Sequence, residues 1–169
     1  MLNKDQNALL HWITAGLNIP DVREFHGDAN YLLRNMIAKY SLGADEYLIS
    51  EAAYFQLKEM RVNLEVVHSR SKFYGKKSPF IYEHAIPVSL VRDKLLTVEP
   101  TLENIAMVLA ASSVVAMLLR EEDAKLQTLG LQSAMPSGWE WGNDPLLRYK
   151  EAAINLTNVT LKVKGNLKR

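Results

Sequence analysis

Cysteine is absent from this 169-residue sequence, so the chain cannot form a disulfide, use a thiolate nucleophile or hold zinc on sulfur. Any metal ion would have to bind histidine, aspartate or glutamate. Glycine and proline are few, with 8 and 6 residues, and no segment rich in them divides the chain. A composition of 48% hydrophobic and 23% charged residues is typical of a globular protein. We therefore expect a single domain over residues 1–169.

Long apolar runs and a large net charge are also missing. The longest uncharged stretch, 105–119, is too short to span a bilayer. The first residues lack the basic and apolar regions of a secretory signal, which predicts a cytoplasmic location and no membrane partner. The net charge of +1 argues against coating nucleic acid by bulk electrostatics. Positive charge is nevertheless dense in one internal segment and in the C-terminal tail, at Arg70, Lys72, Lys76, Lys77, Lys162, Lys164, Lys168 and Arg169.

Helical periodicity dominates the first part of the chain, 1–60. It predicts helices around 4–15, from Ala29 to Tyr40 with Asp28 as the cap, and from Ala44 to Met60 with Phe55 facing inward. The rest of the predicted domain consists of a middle part, 61–130, and a C-terminal helix and tail, 131–169. Within 61–169, helices are predicted after Pro87, after Thr101, over 120–129 and after Asp144.

Short β-favouring runs follow the helical part. Strands are predicted over 80–82, over 114–119 and, as an edge strand, over 156–163, while 63–68 also favours β-structure. The sequence therefore predicts an α+β fold, mainly helical, with a helical N-terminal third and a small β-element.

One short motif carries candidate chemistry. In Tyr82-Glu83-His84-Ala85-Ile86-Pro87, a carboxylate and a histidine follow each other at the end of a predicted strand. This segment resembles the Asp/Glu-His-x-x-Pro signature of the HNH, or ββα-metal, nuclease superfamily. The resemblance implies an endonuclease that hydrolyses phosphodiester bonds in DNA with one Mg²⁺ or Mn²⁺ ion. It also implies that His84 is the general base and that Glu83 is linked to the metal.

The superfamily pattern continues with a second strand and a short helix whose first turn supplies another metal ligand. Here the predicted strand 114–119 precedes Arg120-Glu121-Glu122-Asp123, which puts Asp123 at the ligand position. The predicted helices between Pro87 and Ser112 would be an insertion between the two strands. A weaker echo of the pattern lies at Met135-Pro136-Ser137-Gly138-Trp139 and at Arg148-Tyr149. The sequence departs from the pattern at Leu119, where the family usually has threonine, and it has no clear counterpart of the central asparagine.

Elementary chemistry fits these residue types. Histidine titrates near neutral pH and can take a proton from water, while carboxylate oxygens suit Mg²⁺ or Mn²⁺. Adjacent residues of a strand point to opposite faces, so Glu83 and His84 can serve one site only if the chain bends between them. An isolated Glu-His pair would otherwise be a surface ion pair or a histidine satisfied in the core.

The segment before the motif alternates basic and aromatic residues, a combination that can grip phosphates and stack on bases. The predicted nucleic-acid contacts are Arg70, Lys72, Tyr74, Lys76 and Lys77. The alternative for this segment is a solvated hairpin. For the whole chain, the alternatives are a non-catalytic module that binds nucleic acid or a protein partner and regulates or inhibits another nucleic-acid enzyme, and an interaction module of an unrelated helical fold.

Overall fold

A computed structural model describes residues 2–24 and 27–164. Its elements, in chain order, are α1 (Lys4–Leu17), α2 (Pro20–Glu24), α3 (Asp28–Leu42), β1 (Glu46–Ser50), α4 (Glu51–Glu59), β2 (His68–Ser69), a 3₁₀ helix (Arg70–Phe73), β3 (Phe80–His84), α5 (Val88–Thr97), α6 (Leu102–Ser112), β4 (Val115–Leu119), α7 (Arg120–Thr128), α8 (Leu147–Glu151) and β5 (Leu156–Lys164). No helix within these ranges is both long and apolar enough to cross a membrane.

The sheet is curled and has the strand order β2-β5-β1-β4-β3. Strands β1 and β4 are parallel, β5 is antiparallel to β1, and β3 is antiparallel to β4. One face carries Tyr47, Ile49 and Phe80 and is covered by α4 and Phe73. The other face carries Ala116 and Leu118 and packs against buried residues of α7 and α8. The side chains of β1, β3 and β4 thus alternate between two buried layers.

Four helices form a third layer beside the sheet. Helices α1, α3, α5 and α6 bury one apolar stripe each around Ile13, Ile37, Leu95 and Ile105. Local signals set their ends. Asn3 caps α1, Thr101 caps α6 by accepting a hydrogen bond from the Asn104 amide, and Pro87 precedes α5.

The α+β class predicted from the sequence is confirmed. The prediction of one helix from Ala44 to Met60 is wrong. The first half of this segment contains strand β1, and only Glu51–Glu59 is helical. In β1, Tyr47 and Ile49 are completely buried, whereas Phe55, predicted to face inward, is 63% exposed. The burial of an aromatic and a β-branched residue in a central strand outweighs local helix propensity here. The N-terminal third is therefore interrupted by a strand.

Other boundaries follow the predictions more closely. The strands predicted over 80–82 and 114–119 are β3 and β4, and the helices after Pro87, after Thr101 and over 120–129 are α5, α6 and α7. Asp28, predicted to cap α3, is the first residue of that helix and not the capping residue before it. Strand β5 is not an edge strand, because it lies between β1 and the two-residue strand β2.

Candidate functional site

Glu83 and His84 lie on opposite faces of β3. The strand continues through both residues, and each is paired with β4, Glu83 opposite Ala116 and His84 opposite Val115. The His84 ring lies on the side of α3, with Nε2 3.4 Å from the carbonyl oxygen of Ala38. The Glu83 carboxylate lies on the side of α8, where it binds Arg148. The chain therefore does not bend between the two residues, and the structure does not bring them together.

Arg148 is the centre of the hydrogen bonding around Glu83. Its side chain is completely buried, and Nη2 donates both to the Glu83 carboxylate and to the carbonyl oxygen of His84. Nε donates to Ala85 O at 3.0 Å and Nη1 to Leu131 O at 2.7 Å. A single guanidinium thus joins the end of β3 to the segment after α7. This ties one of the weaker sequence signals, Arg148-Tyr149, directly to Glu83.

Asp123 lies in the first turn of α7, on the same side of the sheet as Glu83. Its side chain is buried, and Oδ2 accepts a hydrogen bond from Gln127 Nε2 at 3.3 Å. The other oxygen, Oδ1, is buried and has no hydrogen-bond partner among the described residues. Glu83 is paired opposite Ala116, and the face of the sheet that carries Ala116 packs against α7 and α8. Glu83 and Asp123 therefore lie on the same side of the sheet, with His84 on the far side of the strand.

Burial shifts the pKa values of Glu83 and His84 in opposite directions. Burial raises the pKa of Glu83, the guanidinium of Arg148 opposes this change, and Asp123 adds to it. Burial lowers the pKa of His84, and the nearby positive charge of Arg148 lowers it further, against the effect of the Ala38 carbonyl. His84 is therefore neutral at neutral pH.

The segment 70–78, here called the basic loop, is held by an aromatic contact and by hydrogen bonds. Phe73 is buried against Phe80, with the rings edge-on at 5.9 Å. Ser78 Oγ donates to Phe73 O at 2.6 Å, so the two ends of the turn are joined. Arg120, at the start of α7, donates to Ser78 O at 2.7 Å and to Gly75 O at 2.8 Å. These contacts anchor the basic loop to β3 and to the start of α7.

The five predicted contact residues of the basic loop differ in what their side chains do. Arg70 donates through Nη1 to Leu42 O, and the Lys72 ammonium lies 3.3 Å from His68 Nδ1. Lys76 and Lys77 are exposed, and neither forms an ion pair with a described carboxylate. The Tyr74 side chain is 73% exposed. Lys72 is exposed as well, so Lys72, Lys76, Lys77 and Tyr74 are all presented to solvent, and Arg70 alone of the five is half-buried.

The second basic cluster of the sequence is only partly described. Lys162 lies 3.9 Å from a Glu65 oxygen and Lys164 ends β5, whereas Lys168 and Arg169 lie outside the described residues.

Some residues that shape these sites give no sequence signal. Arg120 and Lys39 are distant in the chain from the basic loop, and nothing in their spacing indicates that they meet it. Among the described residues, no group of three or more acidic or histidine side chains is arranged to hold a metal ion. Comparisons with protein-family models, with curated proteins and with solved structures found no match to this chain.

Proposed function

We propose that the protein binds nucleic acid, with DNA as the expected ligand, through the basic loop. The observation that carries this proposal is that Lys76 and Lys77 are exposed, free of ion pairs with described carboxylates, and next to the exposed ring of Tyr74. Two ammonium groups without acidic partners are available to pair with phosphates. An adjacent aromatic ring adds a surface on which a base can stack.

The anchoring of the loop supports the same function. Because Arg120 and Ser78 hold the turn by hydrogen bonds, little backbone conformational entropy is lost when a ligand binds the lysines. The net charge of the protein is only +1, so binding is concentrated at this loop instead of being spread over the surface.

Salt dependence tests this function. Affinity for DNA, measured by fluorescence anisotropy at several salt concentrations, should fall as salt rises because neutralised phosphates release counterions. The Lys76→Ala, Lys77→Ala double variant should reduce the log–log slope by about one or two units. A double variant of Lys4 and Lys125, two exposed lysines of α1 and α7, is the control with the same change in charge and should keep the slope. An unchanged slope in the Lys76, Lys77 variant would point to a protein partner instead.

A second candidate function is the metal-dependent endonuclease that the HNH resemblance implies. It is favoured by one observation, the buried Oδ1 of Asp123 that has no hydrogen-bond partner among the described residues. Asp123 and Glu83 share one side of the sheet, and two carboxylates with water molecules suffice for Mg²⁺ or Mn²⁺. A bound ion would offset the negative charge that develops on a phosphate.

In this second proposal, His84 is the general base. Because His84 lies across β3 from both carboxylates, the activity requires the end of β3 to rearrange when DNA binds. Arg148 would also have to share the Glu83 carboxylate with the ion.

Cleavage assays separate the two candidates. Nicking of supercoiled DNA with Mg²⁺ or Mn²⁺ is expected, and His84→Ala should reduce its rate by about 10²- to 10⁴-fold. His11→Ala, which removes an exposed histidine of α1, is the control. Mn²⁺ binding, followed by electron paramagnetic resonance, should weaken in Asp123→Asn. If the wild-type protein binds DNA but neither binds Mn²⁺ nor cleaves DNA, the nuclease proposal is contradicted and only the binding function remains.

A further inference from the structure

Tyr74 and Tyr82 bound a pocket beside the basic loop. The cavity has a volume of about 360 Å³ and is lined by Lys39, Leu42, Arg70, Ser71, Tyr74 and Tyr82. The two tyrosine rings are parallel within 3°, with centroids 6.5 Å apart. This separation is at the wide end of the range of about 4.5–7 Å for paired aromatic rings. The two rings thus form a stacked pair, and the exposed ring of Tyr74, with the cations of Lys39 and Arg70 in the same lining, suits a planar ring that carries a phosphate.

Tyr82 is held by contacts on its side of the pocket, whereas Tyr74 is exposed. The Tyr82 hydroxyl donates to Arg70 O at 3.0 Å, and its ring packs edge-on against Tyr47 at 5.0 Å. Tyr74, in contrast, is 73% exposed. Its ring can therefore contact an incoming ring system while Tyr82 stays in place.

Positive charge lies on both sides of Tyr74. A second cavity, of about 470 Å³, contains Lys76 and Lys77 in its lining, and Tyr74 lines both cavities. Lys39 and Arg70 line the first cavity. No carboxylate is among the described residues that line either one. A nucleic-acid strand with one base against Tyr74 would thus have cations near the phosphates on either side of that base.

We infer that the ligand at the basic loop is single-stranded nucleic acid, one unpaired base of which stacks on the exposed ring of Tyr74 at this pocket. This inference rests on the proposed nucleic-acid binding and adds the substrate class. A base within a duplex is stacked on both faces and paired at its edge, so its ring is not available to tyrosines. Unpaired bases expose their faces, and stacking on aromatic side chains tolerates any base sequence.

The test compares three ligands: a short DNA strand carrying one fluorescent adenine analogue, the same strand in a duplex, and the mononucleotide of the analogue. The single strand should bind more tightly than the duplex, with quenching of the analogue as it stacks. Tyr74→Ala should weaken binding of the single strand about 5- to 150-fold and abolish the quenching. Because no charge is lost, the salt slope should stay as in the wild type. Tyr74→Trp should restore both affinity and quenching.

Controls separate failure of this inference from failure of nucleic-acid binding itself. Tyr31→Ala removes a tyrosine of α3 that is 68% exposed and should bind as the wild type. The inference is overturned if the duplex binds as well as the single strand and Tyr74→Ala has no effect. The proposed function still stands in that case if the Lys76, Lys77 variant reduces the dependence of affinity on salt. A mononucleotide that binds as tightly as the strand would also overturn it. Absence of binding to all three ligands would overturn both.

Discussion

Glu83 and Arg148 form an ion pair at the end of β3, and it is the most enclosed of the ion pairs between described residues. The guanidinium is completely buried, while 16% of the Glu83 side chain remains accessible. The same guanidinium donates to backbone carbonyl groups of His84, Ala85 and Leu131. Arg148 thus fixes both the candidate carboxylate and the backbone that carries it.

Removal of Arg148 should destabilise the protein strongly. Arg148→Ala leaves the Glu83 carboxylate without its partner and several buried carbonyl groups without donors, which typically costs about 3–5 kcal/mol of unfolding free energy. Urea unfolding followed by circular dichroism measures the change. Arg34→Ala, at an exposed position of α3, should change the unfolding free energy by less than about 0.5 kcal/mol. Equal midpoints for the two variants would show that the guanidinium network adds no net stability.

Glu122 and Glu121 are adjacent in α7 but differ in burial. Glu122 Oε2 accepts hydrogen bonds from Ser50 Oγ at 2.6 Å and from the Leu119 amide at 2.8 Å, whereas Glu121 is exposed. Glu122→Ala should lower the unfolding free energy by about 1–3 kcal/mol, because a buried hydroxyl and an amide lose their acceptor. Glu121→Ala is the matched control and should cost less than about 0.5 kcal/mol. Similar losses in both variants would mean that the helix dipole, and not these hydrogen bonds, sets the contribution of the two glutamates.

The fold could be predicted from the sequence where local signals agree with the tertiary structure. Thr101 and Pro87 mark helix starts by their own backbone chemistry, and α5 and α6 were predicted on that basis. Strand β1 could not be predicted in the same way. Its apolar residues also fit a helical stripe, and only the pairing with β4 and β5 decides between the two.

The candidate site could be predicted only in part. Period-two alternation indicates that neighbours such as Glu83 and His84 face opposite ways unless the strand bends, and β3 stays regular through both. The contacts of Arg148 with Glu83 and of Arg120 with Gly75 join residues far apart in the chain. Spacing within a single sequence carries no information on such contacts.

Ala153 adopts a left-handed backbone conformation just after α8, with φ of 50°. This conformation costs a residue with a Cβ roughly 1–2 kcal/mol, and glycine is the residue most common there. The side chain of Ala153 is exposed, so little packing is lost when it is removed. Ala153→Gly should therefore raise the unfolding free energy by about 1 kcal/mol. Ala124→Gly, at an exposed position within α7, is the control and should lower it by about 1 kcal/mol.

Burial of His84 should make stability depend on pH in the weakly acidic range. Its pKa in the folded protein is lowered from the ordinary value of 6.5, so below pH 6.5 the unfolded chain binds more protons than the folded one. The contribution to stability is thus fully present above pH 6.5 and is lost as the pH falls through the folded pKa. Its slope is at most about 1.4 kcal/mol per pH unit for one group.

Urea unfolding of wild type and His84→Gln between pH 5 and pH 8 measures this contribution as a difference. Glu83 has a raised pKa and makes an opposite contribution, which is lost as the pH rises. Subtracting the unfolding free energy of the variant from that of the wild type removes the contribution of Glu83, which both proteins share. The difference in unfolding free energy should therefore increase with pH up to about 6.5 and be constant above it. His11→Gln, at an exposed position of α1, controls for the loss of a histidine. A difference between wild type and His84→Gln that is flat over the whole range would show that His84 titrates in the folded protein as it does in the unfolded chain.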